Sequence, residues 1–214
     1  MLALDNVAEL ENARILSRAF FARDPRKVAR ELLGKLLVRR DGETEVLAGR
    51  IVETEVYLGR DDPAAHAAAG RTARNSVLFG PPGHAYVYFI YGNHYCLNVS
   101  CMPAGEAGSV LFRALEPIFG AQQMARNRGL NPSPPGKWTR PLTIGPGRLC
   151  QALAITRSRD NGKDLVSPAS DLIIMRDGFR VPRITATPRI GITKAADRLL
   201  RFVIPGNPFV SGKK

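Results

Sequence analysis

Apolar and polar residues alternate along several stretches of the chain, and this period of two predicts β-strands. A strand at 35–40 is followed by a turn signal at Asp41-Gly42 and then by the longest such stretch, 45–57. The alternation predicts two faces for this strand: Arg50, Val52, Thr54 and Val56 on one, and Ile51, Glu53, Glu55 and Tyr57 on the other. The sequence thus predicts two glutamates and a tyrosine on one face of a long strand.

Other segments extend this strand-rich pattern. A helix is predicted from the N-cap Asp24 to residue 33, because Pro25 suits the first helical turn and Gly34 ends the apolar periodicity. Further strands are predicted at 86–91, 95–101, 109–115, 172–175, 189–193 and 201–204.

A long connection, 59–82, carries a short predicted helical piece at 64–69. A connection of this length inside a compact domain is either functional or disordered. Two more helices are predicted at 117–128 and 148–154. Since no internal repeat is present, the prediction is one mixed α/β (α+β) domain spanning 1–214, with 1–13 and 212–214 peripheral.

A tyrosine-rich stretch in the middle of the chain predicts a β-hairpin. A two-residue loop would put Asn98 on the apolar face, whereas a three-residue loop at 92–94 pairs Val87 with Val99 and keeps that face apolar. The three-residue loop is therefore predicted, and it makes Tyr88 the cross-strand neighbour of Asn98.

Tyr91 falls at the tip of this hairpin, where a side chain adds little to a core. A tyrosine at a hairpin tip is suited to entering the base stack of a DNA duplex from the minor groove while a nucleotide is flipped out of the duplex. Ordinary cross-strand aromatic packing is the alternative, and it is the interpretation adopted for Tyr86 and Tyr95.

Composition and charge narrow the possible partners. With 44% hydrophobic and 23% charged residues, the 214-residue chain is not wholly disordered. Residues 108–214 hold 18 Lys/Arg and 6 Asp/Glu, so the formal charge of +12 resides there, whereas residues 1–107 hold 13 of each. Nucleic acid is favoured over an acidic membrane as the polyanion bound, because no amphipathic basic helix is evident.

Targeting signals and cysteines indicate the compartment. No apolar run reaches the ~18–20 residues that span a bilayer, and the N-terminus lacks the features of a signal peptide. Cys96, Cys101 and Cys150 have no C-x-x-C spacing for zinc and are expected to be buried, reduced thiols, the first two facing opposite ways. The expectation is an intracellular protein, cytoplasmic with the nucleoid if bacterial and nuclear if eukaryotic.

Glu55 and Tyr57 combine a carboxylate with a flat aromatic surface on one strand face. In a basic chain this suits an enzyme that stacks a nucleobase and activates water beside its glycosidic bond. For Glu55 and Glu53 the alternative is a solvated strand glutamate. Arg113 can orient the carboxylate or contact a phosphate, or lie on the surface, and His66 can bind a base edge or a phosphate, or be structural.

Gly145-Pro146-Gly147 directly precedes the helix predicted at 148–154. One interpretation is a cluster of backbone amides at a helix start, assisted by Arg148, that receives a phosphate. An ordinary turn into a helix is the alternative interpretation.

Ordered blocks of the sequence resemble the alkyladenine (3-methyladenine) DNA glycosylases of animals and bacteria. The blocks are Arg50-Ile51-Val52-Glu53-Thr54-Glu55-Val56-Tyr57-Leu58-Gly59, Ala64-Ala65-His66, Tyr86-Val87-Tyr88-Phe89-Ile90-Tyr91-Gly92, Leu97-Asn98-Val99-Ser100, Phe112-Arg113-Ala114-Leu115-Glu116-Pro117, Leu149-Cys150-Gln151-Ala152-Leu153-Ala154-Ile155 and Gly206-Asn207-Pro208-Phe209-Val210-Ser211. They run in family order from about residue 28 to 211, and this order makes the resemblance specific.

The resemblance implies a monomeric glycosylase, without metal or cofactor, that excises damaged purines from double-stranded DNA. It also implies a curved antiparallel sheet with flanking helices and a protruding hairpin. Glu55 matches the general base of the family, and Arg113 matches its partner in holding the water. Since no lysine lies in the site-forming motifs, Schiff-base chemistry with strand cleavage is not expected.

The remaining residues carried over from the family contact the DNA. Tyr57, His66 and Tyr88 match the walls that sandwich the flipped base, and Asn98 matches the residue that obstructs the exocyclic amine of guanine. Tyr91 matches the residue inserted into the duplex. Arg71, Thr72 and Arg74 fall in the segment that meets the DNA backbone. Asn93 departs from the pattern, because vertebrate members carry methionine there.

Two other function classes are compatible with a basic chain of this kind. One is a non-catalytic nucleic-acid-binding module of similar topology, like the basic C-terminal domain of formyltransferases. The other is a glycosidase of free nucleosides, for which the basic half and Tyr91 would be superfluous.

Overall fold

The computed structural model describes residue 10 and residues 12–41, 45–132 and 140–212. In these ranges nine strands form one open antiparallel sheet. The strands are β1 (Arg14–Ile15), β2 (Leu36–Asp41), β3 (Glu45–Tyr57), β4 (Ala85–Ile90), β5 (His94–Cys101), β6 (Gly108–Phe119), β7 (Leu172–Arg176), β8 (Thr185–Thr187) and β9 (Arg201–Val203). The helices are α1 (Arg18–Phe21), α2 (Pro25–Leu32), α3 (Ala121–Asn127), α4 (Pro146–Ala152) and α5 (Arg157–Asp160). The predicted mixed α/β single domain is confirmed.

The strand order is β1-β7-β2-β3-β6-β5-β4, with β9 paired to both β3 and β8. β3 therefore lies at the centre, and residues 47–56 of it are buried. Its predicted bounds are confirmed, while Gly42 of the predicted turn lies outside the described residues, as does most of the predicted N-terminal periphery. None of the helices in the described ranges is long and apolar enough to cross a membrane.

The pairing of β3 with β6 contains two irregularities that matter for the site. Val52 is an extra residue of β3, and Arg113 is an extra residue of β6. Because a bulge shifts the alternation of side chains, Ile51 and Val52 both enter the main core. The predicted faces are therefore wrong before the bulge, where Ile51 was placed with the glutamates. They are correct for the residues that follow the bulge.

The two sides of the sheet carry separate clusters of buried side chains. The main core packs the helices against the sheet and contains Cys101 and Cys150. A smaller cluster lies under the long 59–82 connection and contains Cys96 with Tyr86 and Tyr88. All three cysteines are buried and free, and the predicted opposite orientation of Cys96 and Cys101 is confirmed.

The ends of α2 follow the sequence signals, since Asp24 accepts a hydrogen bond from the Arg26 amide and Gly34 has a φ of 82°. The helix predicted at 117–128 is wrong at its start, because Pro117 belongs to β6. It sits at a register irregularity opposite Gly49, where a missing N–H is tolerated.

Two predicted elements in the connections are also wrong. Residues 189–193 form no strand; the strand beside β9 is Thr185–Thr187 instead. The segment 64–69 forms hydrogen-bonded turns rather than a helix, and 3₁₀ turns lie on either side of it at Gly59–Asp61 and Ser76–Phe79.

The hairpin has a three-residue loop, as predicted, but the loop is Tyr91-Gly92-Asn93 and Val87 pairs with Leu97. This register differs by two residues from the predicted one, and a shift of two leaves every side chain on its predicted face. The apolar pattern therefore did not distinguish the two registers. As a result Tyr88 lies opposite Cys96, and Asn98 lies opposite Tyr86.

Candidate active site

Glu55 is completely buried near the end of β3 and is held by three donors. Its Oε1 accepts from the Ile190 amide at 2.7 Å and lies 3.2 Å from Nη1 of Arg113. Its Oε2 accepts from the Tyr57 hydroxyl at 3.1 Å. Burial raises the pKa of Glu55 above its usual value, while the Arg113 charge, the Ile190 amide and the Tyr57 hydroxyl oppose this rise. The arrangement gives a desolvated carboxylate of increased basicity.

Arg113 reaches Glu55 because it is the extra residue of β6 at this point. Its Nε donates to Oε1 of Glu53 at 3.1 Å, so one guanidinium joins the two carboxylates. Glu53 is fully buried and also accepts from Nε of Arg201 at 2.6 Å, and from the amide and hydroxyl of Ser211 at 2.7 and 2.8 Å. The oxygens of Glu53 are thus occupied by protein donors, and Glu53 fixes the position of Arg113.

A cavity of about 320 Å³ opens beside this pair of carboxylates. Five of the residues predicted to bind the base or hold the water line this cavity: Tyr57, His66, Tyr88, Asn98 and Arg113. Glu55 is not part of the lining, because its carboxylate is covered. A cavity of this size is within the range of small-molecule sites. Tyr57 and Ile190, two of the residues whose groups donate to Glu55, belong to the lining of the cavity.

Aromatic rings form one wall of the cavity. The ring centroids of His66 and Tyr88 are 4.5 Å apart in an edge-to-face arrangement, and Nδ1 of His66 is hydrogen-bonded to the Tyr86 hydroxyl at 2.9 Å. Burial and the charge of Arg74 lower the pKa of His66, which keeps its ring neutral at neutral pH. The wall therefore offers flat, uncharged surfaces that suit a heteroaromatic ligand.

Asn98 contributes the polar group of the cavity floor. Its Nδ2 donates to the Ser109 hydroxyl at 3.0 Å, and it is 4% exposed. Its Oδ1 is one of four buried side-chain polar atoms without a hydrogen-bond partner among the described residues. Since a buried polar atom is usually paired, this position is suited to recognising a ligand.

Tyr91 stands at the hairpin tip with 78% of its surface exposed. Its backbone φ of 53° is in the left-handed region, as is that of Gly92 at 71°. A Cβ added to Gly191 would lie 4.0 Å from the Tyr91 hydroxyl. The tip therefore reaches across the mouth of the cavity towards the 190–192 segment.

The residues predicted to meet the DNA backbone lie outside the cavity. Arg71, Thr72 and Arg74 are exposed. The backbone amide of Thr72 donates to Oδ1 of Asn75 at 2.6 Å, which holds Thr72 in a turn. Arg148 is exposed on α4, which begins at Pro146 and ends at Ala152, so both ends lie two residues before the predicted bounds of 148 and 154. Their contacts with DNA remain predictions.

Some site residues were not identified from the sequence. Ile190 acts through its backbone amide, which any residue except proline provides, so no side-chain signal existed. Arg189 and Asp62 form a buried ion pair behind Tyr57, and Arg201 and Ser211 hold Glu53. Across the described residues, no group of three His, Cys, Asp or Glu side chains is placed to hold a metal ion.

Comparison with known proteins identifies the family. Residues 19–208 match the family described as methylpurine-DNA glycosylase. A relative from Koribacter versatilis is 66% identical over 93% of this chain and 94% of its own length, and one from Burkholderia cenocepacia is 47% identical over 92% and 91%. A relative from Anaeromyxobacter dehalogenans is 46% identical over 92% of this chain and 85% of its own length. All three bear the name "Putative 3-methyladenine DNA glycosylase". The chain belongs to the methylpurine-DNA glycosylase family.

Proposed function

We propose that this DNA glycosylase flips alkylated or deaminated purines out of duplex DNA and hydrolyses the N-glycosidic bond with a water activated by Glu55. One observation carries the proposal: a buried glutamate, held by Arg113, adjoins a purine-sized cavity with aromatic walls. The name of the relatives, which specifies 3-methyladenine, supports alkylated purines as the substrate class.

The chemistry needs one base and a good leaving group. Glu55 accepts a proton from water as the water oxygen bonds to C1′ of the sugar, and the bond from C1′ to the purine nitrogen breaks. A purine made cationic by alkylation leaves as a neutral base. Glu55 stays anionic until it takes the proton, so its carboxylate also stabilises the positive charge that develops on the sugar. The products are a free purine and an abasic site, with both strands intact.

Recognition uses the walls and the floor of the cavity. Tyr57, His66 and Tyr88 stack against the flipped base, and the neutral ring of His66 avoids repulsion with a cationic purine. Asn98 occupies the floor, where its side chain obstructs the exocyclic amine of guanine.

Binding to DNA relies on the hairpin and on positive charge. Tyr91 fills the gap that the flipped nucleotide leaves, a role supported by its exposure at the hairpin tip. Arg71, Thr72, Arg74 and Arg148 contact phosphates, and the net charge of +12 adds a general attraction to DNA. The protein acts as a monomer on double-stranded DNA.

Single-turnover excision tests this function. The wild-type protein is incubated with duplexes that each carry one damaged purine, and alkali then reveals the abasic sites. Glu55→Gln is expected to lose excision and to keep its affinity for lesion DNA, because the substitution removes only the carboxylate that acts as general base. Absence of cleavage on every duplex would overturn the proposal, and a Glu55→Gln variant that excises at the wild-type rate would overturn the role of Glu55.

A further inference from the structure

Arg189 and Asp62 form an ion pair whose side chains are both completely buried. The contact is bidentate, because Nη1 and Nη2 of Arg189 donate to the two carboxylate oxygens. Nη1 also donates to the carbonyl of Val56 at 2.8 Å, next to Tyr57 at the end of β3. Neither member of the pair lines the cavity, so neither contacts the substrate in the proposed binding mode.

The pair connects three segments that form the site. Asp62 accepts from the amides of Leu58 and Ala64, each at 3.2 Å, and so holds the start of the connection that carries His66. The guanidinium of Arg189 lies over the Tyr57 ring, with Cζ 4.8 Å from its centroid.

The residue that follows Arg189 completes the connection. Ile190 donates its amide to Glu55 at 2.7 Å, and its carbonyl lies 3.5 Å from Nη1 of Arg113. Anchoring Arg189 therefore anchors the segment that orients both the base and its partner. A buried ion pair is on average no more stabilising than apolar residues of equal size, so net stability does not account for it.

We propose that the Arg189–Asp62 pair is a positioning device, which holds the Ile190 amide on Glu55 and supports the Tyr57 ring from behind. The proposal rests on the function proposed above. The charged and titratable groups that surround Glu55 are Glu53 and Tyr57 on β3, Arg113 on β6, Cys96 on β5, and Arg189. The Arg189 cation and the Ile190 amide both stabilise the ionised form of Glu55. Removing the cation and loosening the amide should therefore each raise the pKa of Glu55.

The double variant Asp62→Asn/Arg189→Met tests this proposal without leaving a buried charge unpaired. Asparagine keeps one of the two oxygens and can accept from one of the two amides that Asp62 binds, and methionine fills much of the arginine volume. The chain offers a matched control: Arg50 and Asp177 form another buried pair, at 2.8 Å, with Arg50 lying 4.2 Å from the Phe179 ring centroid and both residues outside the cavity lining. The control is Arg50→Met/Asp177→Asn.

Three quantities are measured for both double variants: the melting temperature, the affinity for a duplex with a tetrahydrofuran abasic-site analogue, and the single-turnover release of methylpurines from methylated duplex DNA across pH. Asp62→Asn/Arg189→Met is expected to bind the analogue like the control and to react about ten- to a hundredfold more slowly. The acid limb of its rate should move to higher pH than that of the control.

A further variant, Arg189→Lys, separates charge from geometry and serves if the double variant does not fold. It keeps the cation, so its acid limb should stay near the wild-type position, but it loses the bidentate fork and should react more slowly. Rates and pH limbs that equal those of the control in all Arg189 variants would overturn the positioning role. If the wild-type protein itself released no methylpurine, the proposed function, and not the positioning role, would have failed.

Discussion

Nη1 of Arg113 lies 3.2 Å from Oε1 of Glu55 at the point where β6 carries one residue more than β3. In a regular ladder, successive side chains of β6 beside Glu53 and Thr54 would alternate between the two faces of the sheet. The bulge re-aims Arg113 so that it bridges both carboxylates. An irregularity in the sheet thus assembles the base and its partner.

Replacing Arg113 by methionine should slow excision about a hundredfold or more at neutral pH. The Arg113 charge is the largest influence opposing the raised pKa of Glu55, so its loss should move the acid limb of the rate to higher pH. Single-turnover rates from pH 5 to pH 9 measure this shift. The exposed Arg126→Met on α3 is the matched control, and an acid limb shared by the two variants would contradict the prediction.

Glu55 should make the stability of the protein depend on pH. Its folded-state pKa is raised, so its contribution is fully present below the ordinary glutamate pKa of about 4.3 and is lost as pH rises through the folded-state pKa. Glu55→Gln cannot ionise, and its free energy of unfolding relative to wild type should therefore increase as the pH rises above about 4. Urea unfolding at several pH values measures the difference.

The matched substitution for this experiment is Glu106→Gln, which removes a carboxylate from an exposed turn. The difference in stability between Glu106→Gln and wild type is subtracted from that between Glu55→Gln and wild type at each pH. If the remaining difference did not change with pH, the burial of Glu55 would not penalise its charge.

Tyr88 should contribute to binding mainly through its ring. Stacking of a base on an aromatic side chain is worth about 1–3 kcal/mol, so Tyr88→Leu should weaken binding of lesion DNA by roughly tenfold or more. Tyr88→Phe keeps the ring and should bind nearly as well as wild type. Titration of a lesion duplex against each variant of the Glu55→Gln protein measures affinity without turnover. Equal losses for leucine and phenylalanine would argue against stacking.

Tyr91 should matter for duplex DNA and not for stability. Because it is 78% exposed, Tyr91→Ala should change the free energy of unfolding by less than about 0.5 kcal/mol. Excision from duplex DNA should fall about tenfold or more, since nothing fills the gap left by the flipped base. Excision of the same lesion from single-stranded DNA is the internal control and should change little. A similar loss on both substrates would indicate a role other than insertion.

Local pattern was sufficient for several parts of this protein. The period of two determined the bounds of β3 and the shared face of Glu55 and Tyr57, because both residues follow the bulge and alternation holds over short distances. Capping chemistry determined the ends of α2. The ordered motifs pointed to the family that the comparisons identify.

Contacts between distant segments were decided by the tertiary structure alone. The hairpin loop begins at Tyr91, although the apolar pattern was equally satisfied by a register two residues away. The donors to Glu53 and Glu55 include Ile190, Arg201 and Ser211, which lie more than 130 residues along the chain. A backbone amide carries no mark of its role in the sequence, and a bulge arises from the fit between two strands. The sequence by itself therefore indicated the side chains that line the cavity, and the packing of the sheet decided which distant donors hold the two carboxylates and which groups are covered.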